Sequence, residues 1–434
     1  MTTTATKQVS IVAPFTLLPG EAGFNRFRYI TEQLVQRGHE VTLITSSFSH
    51  TEKKQRDPVE LTQAASANGF RLVLLHEPGY RTNVGLARIR SHRAFERETR
   101  RYFAALDASG SRPDIIYAAY PLMGAARIAG EYARRRGIPF ILDIQDVWPE
   151  SINAVLQLPL PLLKLVVYPF TLYANYVYRL ADYLVAVSET YAGRGVSANR
   201  RAKEARAVYI GTDRHYFDRC ASAHALSDKP DDEFWLTYIG TLSFSYDMET
   251  VIRAAALVAA EDRQNKPEEK RVVCKIFGGG PHESRLRELA VSLGAPVEFM
   301  GTLPYERLIP YLVRSDAAVH AINGGSQASL TNKLGDYLFA GLPILNSSRN
   351  EEVQRLIGGE RIGFNYMPGD AKTLAHYIRF LREQPETAAG MGRSARQIAE
   401  RSFDRSVTYG HIFRMVEQAA QPAQPAHPAR EVTG

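Results

Sequence analysis

The sequence predicts an α/β protein of two parallel-sheet domains that face each other across a cleft. Three observations carry this. Short apolar runs alternate with segments of helical apolar spacing through the first half, as in Val9–Ala13, Arg26–Arg37 and Val41–Thr45. The alternation restarts at Trp235–Ile239 after the mostly polar run Ser222–Asp232. A length of 434 residues suits two or three domains at roughly 150 residues each. Strands alternating with helices imply parallel pairing with both sheet faces covered.

Val9–Ala13 is the first strand, and a loop with Pro19, Gly20 and Gly23 follows it. Arg26–Arg37 sets Phe27, Ile30, Leu34 and Val35 on one helical stripe, and Gly38 stops it. Val41–Thr45, Phe70–His76, Asp114–Ala118, Pro139–Ile144 and Tyr183–Val187 read as further strands, with a helix over Gly124–Arg136. In the second half, strands are expected at Trp235–Ile239, Val272–Phe277, Val297–Met300, Ala317–His320 and Pro343–Asn346. Helices fall between them at Glu249–Ala260, His282–Gly294, Tyr305–Ser315 and Leu330–Ala340. The domains are then 1–210 and 211–403, linked near Val208–Phe217, with a closing helix at 404–418 returning to the first domain. Residues 419–434, rich in Ala, Pro and Gln, cannot bury a core and are expected to be disordered.

The chain carries 53 basic and 46 acidic side chains, a formal charge of +7. That surplus fits nucleic acid, an acidic membrane or a phosphorylated substrate without choosing among them. An apolar content of 45% excludes wholesale disorder. Two cysteines, Cys220 and Cys274, exclude a disulfide framework and a thiolate zinc site. Met1–Gln8 is polar and shows no signal region, so a cytosolic chain is expected. Ala154–Leu172 is apolar, but Pro159, Pro161, Pro169 and Lys164 interrupt it. Proline costs about 3 kcal/mol in a helix interior, which argues against a membrane span. The segment reads either as buried core or as a surface resting on a membrane, with Tyr168, Tyr173, Tyr176 and Tyr178 near the headgroups. Arg81, Arg88, Arg90, Arg93, Arg97, Arg100 and Arg101 read by default as a solvated helix face, and otherwise as a contact for an anionic leaflet or a lipid diphosphate.

Two facing α/β domains bring the carboxyl ends of both sheets to one cleft, where ligands bind. In Leu18–Asn25, Gly20 and Gly23 let backbone approach a ligand, although the GxGxxG fingerprint is absent. Phe277–Pro281 ends a strand in Gly278, Gly279 and Gly280, a close-approach turn. Ser329–Pro343 is the most informative segment. Lys333 falls in the first turn of a helix, where a cation opposes the helix dipole unless an anion joins it. Asp336, three residues on, shares its face. The pair suits a nucleotide sugar, with Lys333 on the diphosphate and Asp336 on the ribose. A local Lys333–Asp336 salt bridge worth under about 1 kcal/mol is the plainer reading. Ile141–Glu150 sets Asp143 and Asp146 near a strand carboxyl end, where a carboxylate takes a proton from an acceptor hydroxyl or merely caps a helix.

Several pieces in fixed order complete the reading: RGHEVTLIT at 37–45, DIQDVWPE at 143–150, AVSETY at 186–191, YIGTL at 238–242, FGGGP at 277–281, GTLPYERL at 301–308 and NKLGDYLFAGLPIL at 332–345. With the Gly20–Gly23 loop they resemble the family 4 glycosyltransferases of GT-B fold over about Val9–Met415, above all the branch that builds bacterial O-antigens, capsules and exopolysaccharides. The resemblance implies retaining transfer from a nucleotide sugar, a UDP- or GDP-sugar, with no metal and no cofactor. It implies a lipid-linked glycan acceptor held by the first domain, a cytoplasmic chain in peripheral contact with an anionic inner membrane, and no nucleic acid. Donor-side roles fall to Gly20, Gly23, Gly240, Thr241, Gly278, Gly279, Leu303, Pro304, Lys333, Leu334 and Asp336, with Leu303 and Pro304 near the base. Asn25, Arg26 and Asp143 are acceptor-side, and Asp146, Gln145 and Lys333 form the expected catalytic group. The donor's own phosphate would accept the incoming proton, so the leaving diphosphate needs electrostatic stabilisation and no protein nucleophile.

The chain departs from the family where Ala328 replaces the first acidic residue of the E-x7-E motif, where Thr241 and Tyr246 stand near the usual basic pair, at Gln145 for histidine, and at Ile210 for the linker asparagine. Lys333 is the expected replacement for the missing cations. A nucleotide-sugar epimerase of the same fold and a non-catalytic binding protein are the alternative readings.

Overall fold

The computed structural model describes residues 5–419 except 22, 83–84, 151–159, 224–228, 266–268 and 324–329. Ala328 and the tail expected to be disordered, apart from Ala419, lie outside the described residues.

The first half contains β1 (Gln8–Val12), β2 (Glu40–Ser46), β3 (Phe48–Ser49), β4 (Lys54–Gln55), β5 (Arg71–Leu75), β6 (Ile115–Tyr120), β7 (Phe140–Ile144), β8 (Tyr183–Ala186) and β9 (Glu204–Ala207). β3 and β4 form a small antiparallel pair, and the other seven strands form one parallel sheet in the order β5-β2-β1-β6-β7-β8-β9. The second half contains β10 (Glu233–Ile239), β11 (Arg271–Phe277), β12 (Val297–Gly301), β13 (Ala317–His320), β14 (Ile344–Asn346) and β15 (Gly363–Asn365). They pair in parallel as β12-β11-β10-β13-β14-β15.

Every residue of β6, β7 and β10 is buried, which a parallel sheet requires because helices cover both faces. The strand period of two sorts these residues. Ile116, Ala118 and Tyr120 enter one core with Ala126 and Tyr178, whereas Ile115, Tyr117 and Ala119 enter the other with Ile30 and Leu34. The closing helix Gly410–Ala419 belongs to that second core through Ile412, Phe413, Met415 and Val416. The chain therefore crosses between the sheets twice. The crossings touch where Thr212 N–H donates to the Phe403 carbonyl at 2.8 Å.

Strand order reverses at β1 in the first sheet and at β10 in the second. Crevices open at the carboxyl ends of strands at such points. The loops leaving β1, β10 and β13 are thereby placed at the cleft before any side chain is considered.

The apolar stretch near 154–172 falls partly outside the described residues. Its remainder is the helix Leu160–Tyr178, which contains Pro169. Val167, Ala174, Val177 and Tyr178 face inward, but Leu165 is 72% and Tyr168 59% exposed, with Val166, Phe170, Leu172 and Tyr176 also at the surface. Over 165–172 this corrects the buried-core reading, because only part of each turn there packs on the domain, while the side chains of 154–164 lie outside the described residues. Among the described residues no helix is long and apolar enough to cross a membrane.

Candidate functional site

The second-domain wall begins where β10 runs into Gly240. Its φ is +138°, and a Cβ there would come within 2.5 Å of Lys333 Nζ. A side chain there would push that ammonium aside and strain the left-handed backbone. Gly278, at φ +123°, faces the Gly240 carbonyl so closely that a Cβ would meet its oxygen. The two glycine turns are locked together by Gly240 N–H to Phe277 O at 2.9 Å and Leu242 N–H to Gly279 O at 3.0 Å.

Lys333 lies in the first turn of the helix Asn332–Phe339 and is 9% exposed. Its Nζ donates to Tyr238 Oη at 3.2 Å, and that hydroxyl donates to the Thr241 carbonyl at 3.0 Å. The ammonium also sits 3.8 Å from the Tyr246 ring centroid and 4.5 Å from that of Tyr238. Aromatic faces favour a cation, but among the described residues no carboxylate is within ion-pair range of Lys333. Burial lowers its pKa to about 7. The plainer Lys333–Asp336 salt bridge is thus not formed. Asp336 Oδ1 instead accepts the hydroxyls of Thr212 at 2.9 Å and Tyr305 at 2.7 Å, and burial raises its pKa.

The N-cap residue Thr331 makes no side-chain cap, because its hydroxyl is turned to His320 Nε2 at 2.9 Å. His320 Nδ1 lies 2.7 Å from Asn346 Oδ1, and burial lowers the ring's pKa to about 4, so it is neutral near pH 7. The helix start therefore combines an uncapped positive dipole end with a buried cation, an arrangement that suits an anion. Leu334 is not available to a ligand: its side chain is in the core and its N–H donates to Thr331 O at 3.0 Å. Leu303 is partly buried, and exposed Pro304 caps the helix Tyr305–Arg314.

On the first-domain wall, Asp143 of β7 is fully buried. Its Oδ2 accepts from Arg26 Nε at 2.8 Å and Tyr117 Oη at 2.5 Å, and its Oδ1 from Gln145 Nε2 at 2.7 Å. Arg26 Nη1 donates to the Val208 carbonyl at 2.8 Å and to Tyr409 Oη at 3.1 Å. Burial works to lower the Arg26 pKa, and Asp143 together with Tyr409 and Tyr117 more than offsets it, so the net shift is upward. This pair joins β7, the first helix, the linker and the C-terminal helix, while Arg26 Nη2 is buried with no hydrogen-bond partner among the described residues. Asn25 is likewise spent on folding, its Oδ1 capping Phe27 N–H at 3.0 Å and Arg28 N–H at 3.2 Å. Asp146 stays half-buried at the cleft margin, its Oδ1 accepting Val147 N–H at 2.8 Å. Gly20 and Gly23 have left-handed φ of +88° and +103°. Arg28 Nη2 holds the Gly23 carbonyl at 3.0 Å.

Sequence reasoning missed four groups. Tyr238 and His320 lie inside apolar strands, and Tyr246 looked like a lost basic residue rather than the wall of a lysine site. Glu352, on the helix Glu351–Gly359 of the second domain, accepts from Glu189 N–H at 2.8 Å, Thr190 N–H at 3.0 Å and Tyr209 Oη at 3.0 Å. It caps a first-domain helix, Glu189–Ala198, from across the cleft. No local pattern announces such a contact.

Comparison with known proteins agrees with this architecture. The family description "Glycosyl transferase 4-like domain" matches residues 25–211, and "Glycosyl transferases group 1" matches residues 222–398. No curated protein sequence matches the chain. Among solved structures, HepE of Anabaena in complex with UDP is similar at 13% identity and a TM-score of 0.65, over 95% of this chain and 100% of that one. WaaB, a lipopolysaccharide outer core galactosyltransferase, shares 15% identity at a TM-score of 0.57, over 95% of this chain and 98% of its own. WaaG, a glycosyltransferase involved in lipopolysaccharide biosynthesis, shares 12% at 0.60, over 94% and 99%. At these identities the solved structures speak to the fold, and the two family matches, which together span most of the sequence, speak to descent. The chain belongs to the GT-B glycosyltransferases that join a glycosyl transferase 4-like domain to a group 1 domain.

Proposed function

We propose that the chain is a retaining glycosyltransferase that moves a sugar from a UDP- or GDP-sugar to a lipid-linked saccharide at a membrane face, with no resident cofactor. The observation that carries the donor reading is Lys333, a buried ammonium at an uncapped helix start with no carboxylate partner among the described residues. HepE was solved with UDP and with UDP-glucose, which supports a nucleotide sugar for this cleft. The donor diphosphate takes Lys333 and the helix N–H groups, and the Asp336 side turns toward the ribose. As the acceptor oxygen bonds to the sugar carbon, the bond to the diphosphate breaks. The acceptor proton passes to a departing phosphate oxygen. Lys333 stabilises the charge left there, the largest kind of term in such sites.

The membrane reading rests on the exposed stripe of Leu165, Tyr168, Phe170 and Leu172. Two helices pack beside it in the same layer, Met123–Arg136 and then Leu86–Ser109, and the first is tied to the apolar helix by Arg127 Nε donating to Tyr173 Oη at 3.0 Å. Leu86–Ser109 presents Arg90, Arg93, Arg97, Arg100 and Arg101 to solvent, with Leu86 and Ile89 exposed at its start. Apolar and basic side chains on one layer suit an anionic bilayer surface better than nucleic acid.

Thermal-shift titration with UDP- and GDP-sugars tests the donor site. A bound donor at about 100 times its Kd adds roughly 2.7 kcal/mol. No shift with any nucleotide sugar would return the chain to the binding-protein reading. Sugar isomers formed from donor alone would favour an epimerase. Flotation with phosphatidylglycerol vesicles tests the surface, with Leu165→Glu and Phe170→Glu expected to release the protein.

A further inference from the structure

The first domain holds a cluster that sugar transfer does not use. His50 follows β3, Glu77 follows β5, and His92 lies in the second turn of the helix Leu86–Ser109. One ligand atom from each of these three side chains lies within 4.8 Å of the others. His50 Nε2 is 3.2 Å from Glu77 Oε2 but out of line for a hydrogen bond. It and His92 Nε2 are buried with no hydrogen-bond partner among the described residues. Two imidazoles converging on one buried carboxylate supply the donor set of a borderline divalent cation, which binds nitrogen and oxygen at about 2.0–2.2 Å.

We propose that His50, Glu77 and His92 form a divalent-cation site of the zinc type, with three protein ligands and a fourth position for water or a small anion. The surroundings hold the ligands in orientation, as metal sites require. Tyr80 Oη lies 2.9 Å from His50 Nδ1, which leaves Nε2 to face the carboxylate. Ser46 Oγ donates to Glu77 Oε2 at 2.6 Å, and Ser91 Oγ to Oε1 at 2.8 Å. Phe15 closes one side, its ring edge-on to His50 at 4.6 Å and to His92 at 5.7 Å.

Lys53 and Arg88, each over the Tyr80 ring, give the site a positive border, which favours hydroxide or another anion as the fourth ligand. The ion would tie the β3–β4 pair, the exit of β5 and the start of the basic helix into one unit. It lies apart from Lys333, on the other domain, and takes no part in the donor reading.

Equilibrium dialysis of the chelator-stripped full chain against ZnCl2 tests this, with metal content measured and Co2+ substitution followed by its visible absorption. One zinc per chain is expected, with the tetrahedral Co2+ bands. His92→Gln and His50→Gln should each weaken zinc binding by at least about tenfold while keeping the metal-free melting transition. Zinc should raise the melting temperature of the wild type and not of either variant. A wild type that retains no zinc overturns the site, and so does wild-type retention in both variants. If one variant fails to fold, the other decides.

Discussion

Two cations are buried beside the cleft, and their surroundings are opposite. Arg26, on the first wall, has Asp143, a tyrosine hydroxyl and a backbone carbonyl within hydrogen-bond range. Lys333, on the second wall, has two aromatic rings and one hydroxyl. A buried charge that the fold has already paired is scaffold. A buried charge that the fold leaves without a counter-charge is destabilising until an anion arrives, and the drop of its pKa to about 7 records that strain. The cleft thus has a structural wall and a responsive one.

The largest effect should come from breaking the paired wall. Asp143→Ala leaves the Arg26 guanidinium buried and unpaired, which typically costs about 3–5 kcal/mol. Urea unfolding should show that loss, with donor affinity unchanged in whatever folds. A loss below about 1 kcal/mol would mean that the pair is not scaffold. Lys333→Met should do the reverse. It removes an uncompensated charge, so stability holds or rises, while donor binding falls by about 2–3 kcal/mol, or roughly 30–150-fold. Full donor affinity in Lys333→Met would overturn the phosphate assignment.

Titration sharpens the contrast. The folded pKa of Lys333 is depressed, from 10.5 to about 7. Between those values the unfolded chain holds a proton that the folded chain lacks, so this group's contribution to stability rises with pH through that window. Donor binding runs the other way. The diphosphate favours the ammonium, a proton is taken up, and affinity should fall as pH climbs above about 7. A calorimetric series in buffers of different ionisation enthalpy would detect the uptake. Wild-type affinity that is flat with pH, as expected for Lys333→Met, would count against it.

The comparison also explains what was legible in the sequence. Alternating periods exposed both sheets, and Gly278 and Lys333 stood out because turn chemistry and a cation at a helix start are local signals, whereas Gly240 came only with the family resemblance. The partners of those groups are not local. Arg26 and Asp143 are far apart in sequence and meet only because the fold brings the start of the first helix to β7. Asp143 therefore read as a cleft carboxylate when it is an interior one. Tyr238 read as part of a strand and Tyr246 as a lost basic position, and only the fold brings both rings to Lys333. The helix Leu160–Tyr178 misled for a different reason. Apolar content reports what can be buried, whereas one covered stripe and one bare stripe are decided by the neighbouring helices.

Glu352 gives the smallest effect and a third case, a carboxylate shared between the walls. It belongs to the second domain, yet its two oxygens accept the N–H groups of Glu189 and Thr190, the Thr190 hydroxyl at 2.9 Å and the Tyr209 hydroxyl. An anion at a helix N-terminus contributes about 0.3–1 kcal/mol through the dipole, more when partly buried, and its contacts exist only while the two domains are closed on each other. Glu352→Ala should therefore leave each domain folded and loosen their contact. Hydrogen exchange at Glu189 and Thr190 should speed up about five- to tenfold, matching roughly 1–1.4 kcal/mol, while amides of β6 and β10 keep their protection. If exchange quickens equally in both sheets, the residue supports the whole fold. If it stays unchanged at all four places, the carboxylate caps nothing of consequence, and the walls are held together by other contacts, the crossings at Thr212 and Phe403 among them.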